Sequence, residues 1–339
     1  VATIVLLDED GEAHVVAGTT CSVDADALAT ATGWSVKPQG WCRGDICVPL
    51  PDVARAPGVG EIDLEVWAAA LGYRVAADDA FAVVALMPSS RTSSDAVAGE
   101  TAPDLAAADV QGVTHSLADL AGRKRVVVAW ASWCGCRHEL GSWDVLQREL
   151  EPAGLSVFSV ALDNSVDDAR PWIETAAPSY PVVVDTAHVT AARFGITNVP
   201  STVWIDEDGV IVKPATISPG DDQFRDFTKV DSATHHDALR RWVVDGERPD
   251  VTGLAIGSRT DEEWQALAER RLAAWLHNNG HPEAAAAHLE RATALAPWDW
   301  TVRRAGIALR GEDPFLGEEF LAFWTEWDEA GRPGYQPMG

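Results

Sequence analysis

Val126-Val127-Val128-Ala129-Trp130-Ala131 is an unbroken apolar run, and it leads directly into Trp133-Cys134-Gly135-Cys136-Arg137. A strand that ends by handing two thiols to the start of a helix has the layout of a thiol–disulfide redox site. The two cysteines stand one residue closer than in the usual C-x-x-C, so the spacing itself bears on the chemistry.

The surrounding block, residues 102–250, alternates between two periodicities. Strand-like runs fall at 125–131, 155–162, 181–185, 202–205 and 210–212, and helix-like segments at 136–150, 166–175 and 189–194 separate the early ones. Such alternation predicts an α/β domain with parallel βαβ units. Asp206-Glu207-Asp208-Gly209 lies between the last two apolar runs and reads as a hairpin turn, which makes that pair antiparallel. Residues 233–244 read as a closing helix.

Two further blocks flank this one. Residues 1–88 read as a small α+β domain. A hairpin has an acidic turn at Asp8-Glu9-Asp10-Gly11, and a helix–Gly–aromatic–strand unit occurs twice, around Gly33-Trp34 and Gly72-Tyr73. Residues 89–101, rich in Ser, Ala, Asp and Gly, read as a linker. Residues 251–339 read as helical. Leu272, Ala285, Ala292 and Pro297 fall at the spacing of a single tetratricopeptide-like hairpin. One repeat cannot form a solenoid, so the hairpin is expected to pack on the redox domain or on a protein partner. The aromatic tail (Phe315, Phe320, Phe323, Trp324, Trp327) reads as core packing.

Composition excludes several function classes. The formal charge is −26 and no Lys/Arg patch is present, which argues against nucleic acid or an anionic membrane as partner. Five cysteines are too few for a disulfide-rich scaffold. No segment is long and apolar enough to span a bilayer, and Val1 to Leu7 lacks the basic start of a signal peptide. The expected location is cytoplasmic, although a removed leader would leave no trace.

Within residues 102–213 the separated motifs of one family occur in order. Ala102-Pro103-Asp104-Leu105 and Ser116-Leu117-Ala118-Asp119-Leu120 precede the first core strand. Trp130-Ala131-Ser132-Trp133-Cys134 follows it, and Asn198-Val199-Pro200-Ser201-Thr202 comes before Val203-Trp204-Ile205-Asp206. The block resembles the thioredoxin superfamily in its ResA/TlpA-like branch. Within that branch, Trp130 to Cys136 is similar to the subfamily marked by a WAxxUGC motif, with Cys134 at the selenocysteine position. The resemblance implies a thioredoxin-like fold, thiol–disulfide oxidoreductase activity, Cys134 as attacking residue and Cys136 as resolving residue. It also implies that Pro200 is cis and faces the cysteines. Val128 stands where many thioredoxins carry a buried carboxylate, so the resolving proton needs another acceptor. Glu139 and His188 are candidates by position alone.

Physical chemistry points the same way without the family. A cysteine at a helix start faces unpaired backbone N–H groups, which favour the thiolate below its free pKa of about 8.5. Arg137 and Trp133 are candidates for tuning it, and His138 could titrate nearby. Helical residues two apart do not face each other, so a Cys134–Cys136 bond requires a locally non-helical turn, which Gly135 permits. Strain in such a bridge predicts a potential above thioredoxin's roughly −270 mV. No cofactor is called for. No metal site is expected either, since a zinc site normally shows a second ligand pair.

Cys42 and Cys47 flank a turn at Arg43-Gly44-Asp45 and form a second candidate pair, either a relay to Cys134/Cys136 or a structural bridge. Three functions follow. The first is a thiol–disulfide oxidoreductase acting on a protein or small-molecule disulfide, with a thiol as electron donor. The second is a thiol-dependent peroxidase. It rests on Ala131-Ser132-Trp133-Cys134-Gly135, which matches the A-S-x-U-G core of glutathione peroxidases, although their Trp-Asn-Phe segment is missing. The third is a redox-sensing adaptor that binds a protein through its C-terminal helices.

Overall fold

The computed structural model describes residues 2–49, 60–89, 98–252, 254 and 259–335, so most of the expected linker lies outside the described residues. The chain forms two compact units, one from residues 1–90 and 259–296, the other from residues 91–258 and 297–339. The expected single helical block over 251–339 differs from this division: its first two helices belong with the N-terminal residues and its last two with the redox block.

The first unit is built on a four-stranded sheet in the order Ala13–Ala17, Thr3–Leu7, Val83–Pro88, Tyr73–Asp78. The two expected helix–Gly–aromatic units both form. Asp24 and Asp63 cap helices Ala25–Thr32 and Leu64–Leu71, and Gly33 and Gly72 end them in the left-handed conformation. The aromatics that follow meet in the core, where Trp34 Nε1 donates to Tyr73 Oη at 3.2 Å. A hairpin places Cys42 opposite Cys47, and the two are disulfide-bonded.

Helices Asp261–Asn278 and Pro282–Leu295 complete this unit. The hairpin read as tetratricopeptide-like is therefore a cover for the N-terminal sheet rather than a repeat on the redox domain. Its anchor is Arg271, whose Nη1 donates to the carbonyls of Asp8 (2.9 Å) and Leu86 (2.7 Å). Buried backbone carbonyls of the sheet are thereby satisfied by a cation from the helix, a requirement that hydrophobic spacing does not reveal.

The second unit is a five-stranded sheet in the order Val182–Val184, Leu155–Ala161, Lys124–Trp130, Ser201–Ile205, Ile211–Ile217. The first three strands are parallel, as the alternation predicts, and the last pair is antiparallel, as the acidic turn predicts; the central strand also pairs antiparallel with Ser201–Ile205, which the sequence pattern did not indicate. The Val126–Ala131 run is buried throughout, in the middle of the sheet. Helix Leu140–Leu150 covers it with Leu140, Trp143, Leu146 and Leu150, an i, i+3, i+6, i+10 stripe. Helices Trp300–Leu309 and Glu318–Glu329 also belong to this unit. The first is tied down where Trp300 N donates to Thr197 O (2.8 Å) and Asn164 Nδ2 donates to Ala305 O (3.1 Å).

One lysine is fully buried. Lys213 Nζ donates to Thr202 O (3.2 Å) and Thr202 Oγ1 (3.0 Å) and lies over the Trp204 ring, and burial holds its pKa well below the usual lysine value. The unfolded chain therefore takes up a proton that the folded chain resists, so this residue costs more stability as pH falls. Lys213→Met is expected to stabilise the protein, with a gain that grows from pH 10 to pH 8 by up to about 1.4 kcal/mol per unit. Urea unfolding of both proteins at the two pH values checks this, and an equal gain at both would contradict it.

Candidate active site

The loop after the central strand is held from below. Asp163 accepts from Ser132 N at 3.0 Å and from Ser132 Oγ at 2.5 Å, and Trp133 Nε1 donates to Leu162 O at 3.0 Å. These bonds fix the backbone that presents Cys134. Cys134 is extended (φ −112, ψ 151) and precedes a short 3₁₀ turn, Gly135–His138, and the α-helix begins only at Leu140. The continuous helix expected from residue 136 is thus replaced at its start by a tighter turn, closed by Arg137 N to Cys134 O (3.2 Å) and Glu139 N to Cys136 O (3.0 Å).

Gly135 is required for a different reason than the turn alone suggests. Its φ is not positive, but a Cβ there would lie 2.5 Å from Cε2 of Phe224. The glycine leaves room for an aromatic ring directly against the Cys-Gly-Cys turn.

Cys134 and Cys136 are both free thiols, both buried, and both on the wall of one cavity of about 230 Å³. Pro200 lies on the same wall, in a cis peptide bond with Val199, and Cys134 Sγ lies 3.5 Å from Val199 O. The structure therefore brings Cys134, Cys136 and Pro200 together.

Arg137 is held by a bond from Nη1 to Ser132 O (2.7 Å), with its guanidinium over the rings of Trp172 and Phe315. His138 packs edge-on against Trp172. Glu139 does line the cavity, whereas His188 is buried at the start of helix Val189–Phe194 and is not part of the cavity wall. The Cys42–Cys47 disulfide belongs to the first unit, as does the exposed thiol of Cys21.

The residue that sequence reasoning missed is Arg304. It is only 5% exposed, its Nε donates to Pro314 O at 2.7 Å, and its guanidinium lies 3.9 Å from the Phe320 ring centroid. Its positive charge also favours the ionised form of Cys134. A signal was available: Arg304 stands among Val302, Ala305, Ile307 and Leu309 on a short apolar helix, where a charge needs a buried partner. Nothing in the local sequence names that partner, 170 positions earlier.

The electrostatics separate the two thiols. A hydrogen bond from Cys136, the Arg304 charge, the Cys136 backbone N–H and Arg137 together outweigh burial and bring Cys134 down to about 6. Burial, the bond that Cys136 gives to Cys134, and the negative charges of Cys134 and Glu139 push Cys136 well up. Burial likewise pushes Glu139 well above the usual carboxylate range, against the opposing bond from Gly220 N at 2.7 Å. The arrangement supplies one thiolate, one thiol and one carboxyl group that holds its proton, all facing one cavity.

A thioredoxin-like domain carrying a close pair of thiols is what this sheet and site define. Residues 98–213 match the AhpC/TSA family. The chain is 30% identical over 116 residues to the thioredoxin-like protein YneN of Bacillus subtilis, covering 33% of this chain and 68% of the relative. It is 28% identical over 127 residues to the thiol-disulfide oxidoreductase ResA of Geobacillus thermodenitrificans, covering 37% of this chain and 73% of the relative. Among solved structures it is similar to a thioredoxin-family thiol:disulfide interchange protein from Chlorobium tepidum, with 25% identity, 36% and 88% of the two chains covered and a TM-score of 0.33. Through this domain the chain belongs to the thioredoxin-like family of thiol-disulfide oxidoreductases.

The weight of Arg304 can be measured. Arg304→Gln is expected to raise the Cys134 pKa by one unit or more from about 6, read from the pH dependence of iodoacetamide alkylation. A profile unchanged by the substitution would remove Arg304 from the site.

Proposed function

We propose that this chain performs thiol–disulfide exchange with Cys134 as the attacking residue and Cys136 as the resolving one. The observation that carries this reading is the meeting of Cys134, Cys136 and cis-Pro200 on one cavity wall at the end of the central strand, where neighbouring groups lower the first thiol and burial raises the second. The Cys134 thiolate attacks one sulfur of a substrate disulfide, forms a mixed disulfide and expels the other sulfur as a thiolate. Cys136 then loses its proton and attacks Cys134 Sγ, closing the Cys134–Cys136 bond and releasing the second substrate thiolate. Two electrons pass to the substrate, and the reverse sequence oxidises a dithiol by the same steps.

Glu139 is the carboxyl group on the cavity wall that can exchange a proton during resolution, since loss of the Cys134 thiolate charge removes part of what holds its own proton. Pro200 flanks the sulfur and would bound the substrate's path, and Arg137 and Trp133 support the thiolate and its loop. The resemblance of Trp130–Cys136 to the WAxxUGC motif supports the same assignment of Cys134. Because the folded protein stabilises the thiolate, it stabilises the reduced state, and the pair should be more oxidising than thioredoxin at roughly −270 mV.

Cys134→Ser is expected to abolish turnover of a model disulfide, and Cys136→Ser to accumulate a mixed disulfide at position 134 visible by mass spectrometry. Attack should rise with pH through about 6 and then level off, because the reactive form is the deprotonated one. Full activity in Cys134→Ser would end this reading. Peroxide consumption without disulfide exchange would favour the peroxidase alternative instead.

A further inference from the structure

The family match ends at residue 213, yet much of the wall around Cys134 comes from beyond it. Phe224, Phe315, Phe320, Trp324 and Tyr335 all line the cavity. These rings support one another. Phe224 meets Phe315 edge-on at 5.9 Å, and Phe227, also on the wall, stacks on Trp324 at 3.8 Å. The expectation that the C-terminal aromatics are core packing holds for Phe320, Phe323 and Trp327, which are buried in one cluster, whereas Phe315 and Trp324 stand only partly buried on the cavity wall. Because Phe224 sits against Gly135 and Cys134 is only 7% exposed, a partner sulfur reaches the thiolate through an aromatic enclosure rather than across an open face.

The cations around this cavity are already engaged: Arg137 at the Ser132 carbonyl and over Phe315, and Arg332 by Asp328. Arg304 is already engaged by the Cys134 sulfur, the Pro314 carbonyl and the Phe320 face. Asp221 also stands on the wall, and the chain carries a formal −26. A mostly apolar pocket with a few polar groups at one point is the usual form of a small-molecule site.

We propose that the cavity is a specificity pocket for a low-molecular-weight disulfide. The half that joins Cys134 carries an uncharged aromatic or branched-apolar group, and anionic disulfides such as glutathione disulfide are disfavoured. This rests on Cys134 as the attacking residue and deepens that reading. The apolar group packs among Phe224, Phe315 and Trp324 while its sulfur meets the thiolate.

The test uses methanethiosulfonates, which share one leaving group. The Cys134 thiolate attacks the sulfenyl sulfur, the S–S bond breaks, and methanesulfinate departs with the electron pair. Rates are measured for the methyl, benzyl and 2-sulfonatoethyl reagents on the full chain carrying Cys21→Ser and Cys136→Ser. The first substitution removes the exposed thiol. The second keeps a hydrogen-bond donor and lets the adduct persist for mass spectrometry.

The benzyl-to-sulfonatoethyl rate ratio at Cys134 is expected to exceed the same ratio for free cysteine by about tenfold or more, and to fall severalfold in Phe315→Ala and Trp324→Ala. A ratio equal to that of free cysteine, a preference for the anionic reagent, or a preference indifferent to both substitutions would overturn the pocket proposal. Failure of even the methyl reagent to modify Cys134 would instead overturn its role as nucleophile.

Discussion

A buried sulfur anion beside a buried guanidinium is the interaction on which this site depends. Either charge alone in a protein interior is costly, and the two together are tolerable only when further hydrogen bonds complete them. Here the completion is visible. Cys134 is bonded by Cys136, and Arg304 gives its Nε proton to Pro314 O and lies against Phe320. The ion pair links the loop after the central strand to a helix near the end of the chain. That helix therefore lines the same cavity as the thiols, and its own anchors to Thr197 and Asn164 hold Arg304 there.

The same low-dielectric setting explains why Cys134, Cys136 and Glu139, which share the cavity wall, do not behave alike. Burial opposes ionisation of each acid in it. Cys134 escapes because it collects a thiol donor, a backbone N–H and two guanidinium charges, while Cys136 and Glu139 collect mainly negative neighbours and keep their protons. One ionised group suppresses the next, so the thiolate itself defines the resolving thiol and the neutral carboxyl. The two sulfurs are thereby given opposite proton affinities, although only Gly135 separates them.

Much of the redox domain was legible from the chain. The apolar run at 126–131 was readable as a core strand, the acidic turn at 206–209 as a link between antiparallel partners, and the thiols as following the strand's end. Pro200 was named from its motif and lies beside the thiols. The Cys42/Cys47 pair was read as a hairpin bridge or a relay, and it is disulfide-bonded across a hairpin. The helical tail was less legible. Its apolar spacing shows that helices form but not what they cover. The hairpin 261–295 went to the N-terminal sheet because Arg271 finds buried carbonyls there, and helices 300–309 and 318–329 went to the redox unit.

By itself, the sequence determined the local order of strands, turns and thiols, because periodicity, capping and turn chemistry act over a few residues at a time. It determined that a cysteine pair would sit after a buried strand beside a proline loop. Only the tertiary structure decided that Arg304 is the thiolate's counter-charge, that Glu139 shares the cavity, and that Phe224 explains Gly135. Those relations join residues far apart in the chain. They arise from the shared need to satisfy buried charge and fill buried volume, and that need has no signature in any short stretch of residues.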